Sequence, residues 1–153
     1  MRVLRQTVLL GASLMLLAGM AAAADLRVLS VEETQNAVRA LGAEFKKETA
    51  QEINLTISVA SEVMQKIKAG VVFDMLIASE ATMDELDGEG LVNPESRVPL
   101  ATAASSQAKL VYEGALMSDG TMPELARSFI RFLASPEARA QWIDSRLEPL
   151  ADR

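Results

Sequence analysis

The chain of 153 residues carries 15 basic and 21 acidic side chains, a formal charge of −6, and neither cysteine nor histidine. Those two absences exclude disulfides, thiolate nucleophiles, sulfur-ligated zinc, imidazole bases and any Ser-His-Asp triad. The acidic balance makes nucleic acid a poor partner, because a phosphate backbone would be repelled.

The first residues, MRVLRQTVLLGASLMLLAGMAAAAD, open with Arg2 and Arg5, run apolar from Val8 to Met20, and end in Ala22-Ala23-Ala24 before Asp25. This layout predicts a cleaved secretory signal over 1–24. A membrane anchor is the competing reading, since the stretch with its alanine tail approaches spanning length. Cleavage after Ala24 leaves 153 − 24 = 129 residues with a charge of 13 − 21 = −8. That length suits one domain with one core.

Leu26 to Leu29 suits a first strand, and Ser30 with Glu33 three residues later forms a capping box. Val31, Thr34, Val38, Leu41 and Phe45 then fall at three- and four-residue spacing, an amphipathic helix running to about Glu48. Ile53, Leu55, Ile57 and Val59 alternate with polar residues as a strand does. Ser61 is placed to cap a short helix carrying Val63, Met64 and Ile67, with Gly70 at its stop. Phe73 to Ala78 is almost wholly apolar, as expected of a central parallel strand buried on both faces, and Glu80 to Leu86 gives a helix ended by Gly88 and Gly90. Three strand–helix alternations predict α/β architecture with a parallel sheet.

From Asn93 to Pro99 the chain is turn-rich, and Ala101 to Ala108 is small and featureless. Lys109 to Tyr112 reads as a further strand leading through Gly114 to Met117. Pro123 opens a helix whose apolar face holds Leu125, Phe129, Phe132 and Leu133. Ser135-Pro136-Glu137 starts a last helix, with serine as cap and Trp142 and Ile143 as anchors.

The stretch FDMLIASEATMDELDGEGLVNPESRVPLA (Phe73 to Ala101) resembles the segment of molybdate-type solute-binding proteins in which a buried strand, a helix and a return precede the hinge. LVYEGALMSD and ARSFIRFLASPEARAQWIDSRLEP resemble that family's tyrosine-bearing return strand and C-terminal helices. The resemblance covers nearly all of 26–150 in the right order. It implies one lobe of a type II periplasmic-binding-protein fold, with a parallel or mixed sheet and helices on both faces. It also implies residence in the periplasm and a role as receptor for an ABC importer. Family members have two lobes, yet only about ten residues separate Ala101 from Tyr112, where a lobe needs on the order of 50 or more. The expectation is therefore a truncated solute-binding domain over 25–153, its first lobe formed by about 25–101 and 108–150.

In this fold the resemblance implies that serine hydroxyls and backbone N–H groups at helix N-termini hold the oxyanion. The candidate shell is Ser30, Ser58, Ser61 and Tyr112, the last matching the family's ligand-contacting tyrosine. Glu33 falls where molybdate-binding members have their first ligand serine, and Ala60 falls where they have the second. A carboxylate some 5 Å from a bound anion costs about 3 kcal/mol at an effective dielectric of 20. Each residue has a structural reading beside the functional one: Ser30 with Glu33 as a helix cap, Ser61 as an N-cap, Tyr112 as a strand residue. The partners implied are a small anionic solute and an ABC permease, with weak or degenerate binding, no cofactor, no metal and no catalysis. The alternative is a non-binding interaction module or internally deleted remnant, forming a homodimer through a bare apolar surface on the hinge side.

Overall fold

The computed structural model describes residues 25–104 and 108–150; the expected signal segment, 1–24, lies outside them. Among the described residues no helix is long and apolar enough to cross a membrane. The strand–helix alternation is present as β1 (Asp25–Val31), α1 (Gln35–Thr49), β2 (Glu52–Ser58), α2 (Ala60–Lys68), β3 (Met75–Ser79) and α3 (Glu80–Gly88). The remainder is β4 (Val98–Ala104), β5 (Lys109–Leu116), α4 (Pro123–Leu133), α5 (Arg139–Asp144) and β6 (Glu148–Pro149).

Six strands form one mixed sheet in the order β2-β1-β3-β5-β4-β6. β1 is parallel to both β2 and β3, whereas β5 runs antiparallel to β3 and to β4. The apolar run of β3 is thus central as expected, but parallel on one side only. Alternation along β5 separates the two faces. Gly114 lies against Ile130 of α4, while Glu113 on the opposite face meets Arg97, which also binds Asp84 and Asp87 of α3. On the first face α1 packs on α4 and α5: Phe45 meets Phe129 and Phe132 at centroid distances of 5.1 and 5.4 Å, and Gln141 donates to Glu44. The amphipathic stripe of α1 therefore buries Val38, Leu41 and Phe45 as read from its spacing.

Several local expectations differ from the structure. No capping box forms at Ser30, because β1 extends to Val31 and a 3₁₀ turn, Glu32–Thr34, carries the chain into α1. Val59, not Ser61, is the N-cap of α2, and Ser61 sits within its first turn. The end of the turn-rich connection and the first of the small residues, Val98–Ala104, form β4, held by main-chain pairing that needs no large side chains. Ser135 takes the N-cap position of a 3₁₀ turn, but its Oγ makes no capping bond. Trp142 anchors α5, fully buried with Nε1 donating to Leu133 O at 2.9 Å, whereas Ile143 on the next position around the helix is exposed.

β4 and β5 form an antiparallel hairpin whose pairing reaches Ala104 and Lys109. It extends three residue pairs past the end of β3, where Ser79 faces Tyr112, or about 10 Å at strand rise. This ribbon stands where the resemblance places the passage into a second lobe. Among the described residues, the large exposed hydrophobics are Val59, Val71, Val72, Leu110 and Ile143, and of these only Val59 and Leu110 lie at that end. Among the described residues at that end, Leu100 and Tyr112 are buried on the sheet, so the exposed large hydrophobics there are Val59 and Leu110.

The opposite end of the sheet is held by one buried carboxylate. Asp74, just before β3, has no exposed side-chain surface. Its Oδ2 accepts from the Arg27 backbone N–H and Nε, both at 3.0 Å, and its Oδ1 accepts from Arg27 Nη2 at 2.9 Å and the Thr121 N–H at 2.8 Å. Its own N–H donates to Arg27 O and its carbonyl accepts from Met117 N. Gly120 makes this closeness feasible, because a Cβ there would lie 3.0 Å from the Asp74 backbone. Burial alone raises the Asp74 carboxyl, but the side-chain and backbone hydrogen bonds from Arg27, that from Thr121 and the guanidinium charge outweigh it and hold it at about 2.

Asp74→Ala leaves Arg27 and Thr121 donors without their acceptor and is expected to lower stability by about 3 kcal/mol, read by urea unfolding at neutral pH. A depressed carboxyl stabilises the fold above its unfolded pKa and loses that contribution as pH falls through the folded one. The native chain is therefore expected to lose about 2 kcal/mol between about pH 4 and pH 2, and the variant much less over that window.

Candidate functional site

The register brings the carboxyl ends of β1, β2 and β3 to a common edge: Ser30 lies beside Ile77, Val31 beside Ser58, and Ser79 beside Tyr112. α1 (through its 3₁₀ turn), α2 and α3 all begin there. Their first-turn N–H groups have no partners within the helix, and the positive dipole ends point out of the edge. In open α/β sheets ligands bind outside this edge.

Three of the four candidate residues reach the edge from strands, and their hydroxyls are differently occupied. Ser30 is fully buried, with its Oγ 2.7 Å from Thr34 Oγ1. Thr34 in turn donates to Val31 O at 3.1 Å, so Ser30 is the donor of the shared bond. Ser58 is buried and donates to Glu62 Oε2 at 3.3 Å, a carboxylate that also meets Lys66 at 3.7 Å. Ser61 is exposed in the first turn of α2. Tyr112 is only 3 % exposed, on the sheet face that carries α1 and α4.

Glu33 reaches this neighbourhood from the turn after β1. Burial raises the Tyr112 phenol above its ordinary value, and the negative charge of Glu33 raises it further. Glu32 and Glu33 are exposed in that turn, Glu62 stands in the first turn of α2, and Glu80 opens α3. Their charges offset the helix dipoles that would otherwise draw an anion. Sequence reading passed over Ser79, which caps α3 by accepting from Thr82 N at 3.4 Å. Its place between a continuous apolar strand and a helix, shared with Ser58, was the available clue.

Asp74 and Glu80 stand at opposite ends of β3, about 20 Å apart at strand rise, so they form no acid/base pair. A groove of about 590 Å³ runs between α1 and the edge strand β2, lined by Val38, Gly42, Lys46, Glu52, Ile53 and Leu55 among others. It lies along the flank of the sheet, and its Lys46 and Glu52 pair with each other at 2.8 Å. Among the described residues no three carboxylates converge closely enough to hold a metal ion.

The fold and this edge define a solute-binding lobe of α/β type. Residues 26–105, just over half of the chain, match the bacterial extracellular solute-binding protein family, and the chain belongs to it. No curated protein matches. Among solved structures the chain is similar to the periplasmic molybdate-binding protein of Azotobacter vinelandii, at 11 % identity and TM-score 0.73, covering 84 % of this chain and 100 % of that one. It is similar to the sulfate-binding protein SubI of Mycobacterium tuberculosis, at 8 % identity and TM-score 0.71, over 82 % and 87 % of the two chains. It is also similar to iron-bound HitA of Pseudomonas aeruginosa, at 10 % identity and TM-score 0.71, over 84 % and 87 %.

Tyr112 is the only tyrosine, so absorbance of the tyrosinate reports on it alone. Its titration is expected above the ordinary value of 10.0, and Glu33→Gln is expected to bring it down without restoring that value, because burial is the larger cause.

Proposed function

We propose that this chain is an extracytoplasmic solute-binding protein of an ABC importer that takes a small solute at the carboxyl edge of β1, β2 and β3. It is exported to the periplasm by residues 1–24, and its lobe is assembled from about 25–101 and 108–150. The β4–β5 ribbon stands in place of a second lobe. The observation that carries the reading is the convergence of three helix N-termini and Tyr112 at one sheet edge, in a chain of this family. Backbone N–H groups there, with Ser30, Ser58, Ser61 and Tyr112, are the candidate contacts.

As an oxyanion receptor the site is degenerate. The Ser30 and Ser58 hydroxyls are engaged by Thr34 and Glu62, and Glu33 faces the same neighbourhood as Tyr112. Closure of two lobes around a ligand, which dehydrates the site and doubles its contacts, is not available to one lobe.

Two measurements test this. The mature protein recovered from the periplasm is expected to begin at Asp25, and intact-mass analysis reads the cleavage directly. Thermal unfolding is expected not to move with millimolar molybdate, tungstate, sulfate or phosphate. A ligand at one hundred times its dissociation constant adds about 2.7 kcal/mol, so a clear upward shift with one of them would overturn the degeneracy.

A further inference from the structure

Ser135 stands at the N-cap position of the 3₁₀ turn between α4 and α5, yet its hydroxyl caps nothing. Among the described residues its Oγ is the one side-chain polar atom shut off from solvent without a hydrogen-bond partner. The Ala138 N–H, which a cap usually takes, is bonded to the Ser135 carbonyl at 3.2 Å. Buried polar groups are nearly always satisfied, so a hydroxyl left open calls for a reason.

Ser135 lines a cavity of about 250 Å³ beside β4 and β6, at the margin of the sheet opposite β2. Leu100, Leu133, Trp142 and Leu150 give the cavity apolar walls. Its polar lining is Ser135 and Arg139, and among the described residues no acidic side chain lines it. Arg139 opens α5 and is exposed, and its guanidinium has no ion pair or hydrogen bond among the described residues. Unpaired arginines are common on a surface. This one is set apart by its place at a cavity wall, beside an unsatisfied hydroxyl and without a carboxylate to neutralise it.

We propose that this cavity is a ligand site for a small monocarboxylate with an apolar body. Its carboxylate meets the Arg139 guanidinium and the Ser135 hydroxyl, while the body lies against Leu133 and Trp142. The site is separate from the carboxyl edge of β1, β2 and β3 and does not rest on the solute-binding reading of that edge. A guanidinium pairs with a carboxylate through two parallel bonds, and the hydroxyl donates a third. Rotation between staggered positions about χ1 brings the Ser135 hydroxyl to the bound group and gives it the partner it lacks. Mostly apolar walls with a few polar groups are the usual make-up of a small-molecule site. An apolar cavity of about 150 Å³ takes the six carbons of benzene, so this one takes a body of up to about ten heavy atoms. A strongly hydrated anion such as sulfate is the poorer occupant, because the apolar walls return nothing for its lost water.

Trp142 is the only tryptophan and lines the cavity, so its emission reports on occupancy. The test titrates hexanoate and benzoate into the purified protein at neutral pH, with hexanol and hexylamine as neutral and cationic comparators and with calorimetry and thermal unfolding in parallel. At least one carboxylate is expected to bind saturably, shift the Trp142 emission and raise the unfolding temperature. Arg139→Gln, at an exposed position without partners, is expected to weaken that binding about tenfold. Ser135→Ala is expected to weaken it severalfold without lowering the unfolding temperature of the free protein, since it removes an unsatisfied hydroxyl. Arg131→Gln, on α4 and outside the cavity lining, is the control and is expected to bind as the native chain does. Failure of both carboxylates to bind overturns the proposal. So does hexanol or hexylamine binding as tightly as the carboxylates, or carboxylate binding that Arg139→Gln leaves unchanged. None of these outcomes bears on the carboxyl edge, whose own test uses the inorganic anions.

Discussion

A carboxylate taken out of water must regain its lost hydration from fixed donors, and the placement of Asp74 makes that requirement organise the sheet. Its donors come from β1, through Arg27, and from the turn before α4, through Thr121, while its own main chain starts β3. Three segments distant in sequence are thereby tied at one point. The pairing of Val28 with Met75 follows immediately, and from it the register that places Ser30 beside Ile77 and ends β1 and β3 side by side. The candidate edge lies at the far end of the strands from this lock, so the lock sets the site's geometry without taking part in its chemistry.

At that edge, local demands compete with ligand binding. Strand-to-helix junctions favour small hydroxyl residues because they can satisfy the backbone at a turn. Ser30 serves Thr34 and Ser58 serves Glu62, so each hydroxyl completes the junction on which it stands. What the edge offers a solute is then set by the groups left over: backbone N–H groups at the helix starts, the Tyr112 hydroxyl and the carboxylates of the first turns.

The single lobe is closed by its own hairpin. β4 and β5 pair with each other out to Ala104 and Lys109, and β6 adds to β4, where Thr102 and Lys109 both meet Glu148. Main-chain pairing satisfies the backbone of a segment made largely of alanine and threonine. The end of the ribbon is exposed at Lys109 and Leu110.

Periodicity and punctuation made most of the architecture legible. The three-and-four spacing from Thr34 to Phe45, the alternation from Ile53 to Ile57 and the apolar run ending at Ala78 each predicted the element that forms, because burial of one face or of both leaves a direct imprint on composition. The resemblance over Phe73–Ala101 and Ala126–Pro149 pointed to the family that the match to residues 26–105 establishes. What only the tertiary structure decided were features that depend on neighbours distant in the chain. The small residues after Val98 become a strand because β5 and β6 offer main-chain partners, an effect that leaves no side-chain signature. Ser30 is drawn into β1 because β2 and β3 both extend beside it, which removes the capping box that its spacing to Glu33 suggested. Asp74 looked like an interruption of an apolar strand until Arg27 and Thr121 were brought to it. The sequence by itself determined which faces are apolar and where the chain turns, since those are local properties. Which polar groups satisfy one another and which are left for a solute is set by contacts between distant segments, and therefore by the fold.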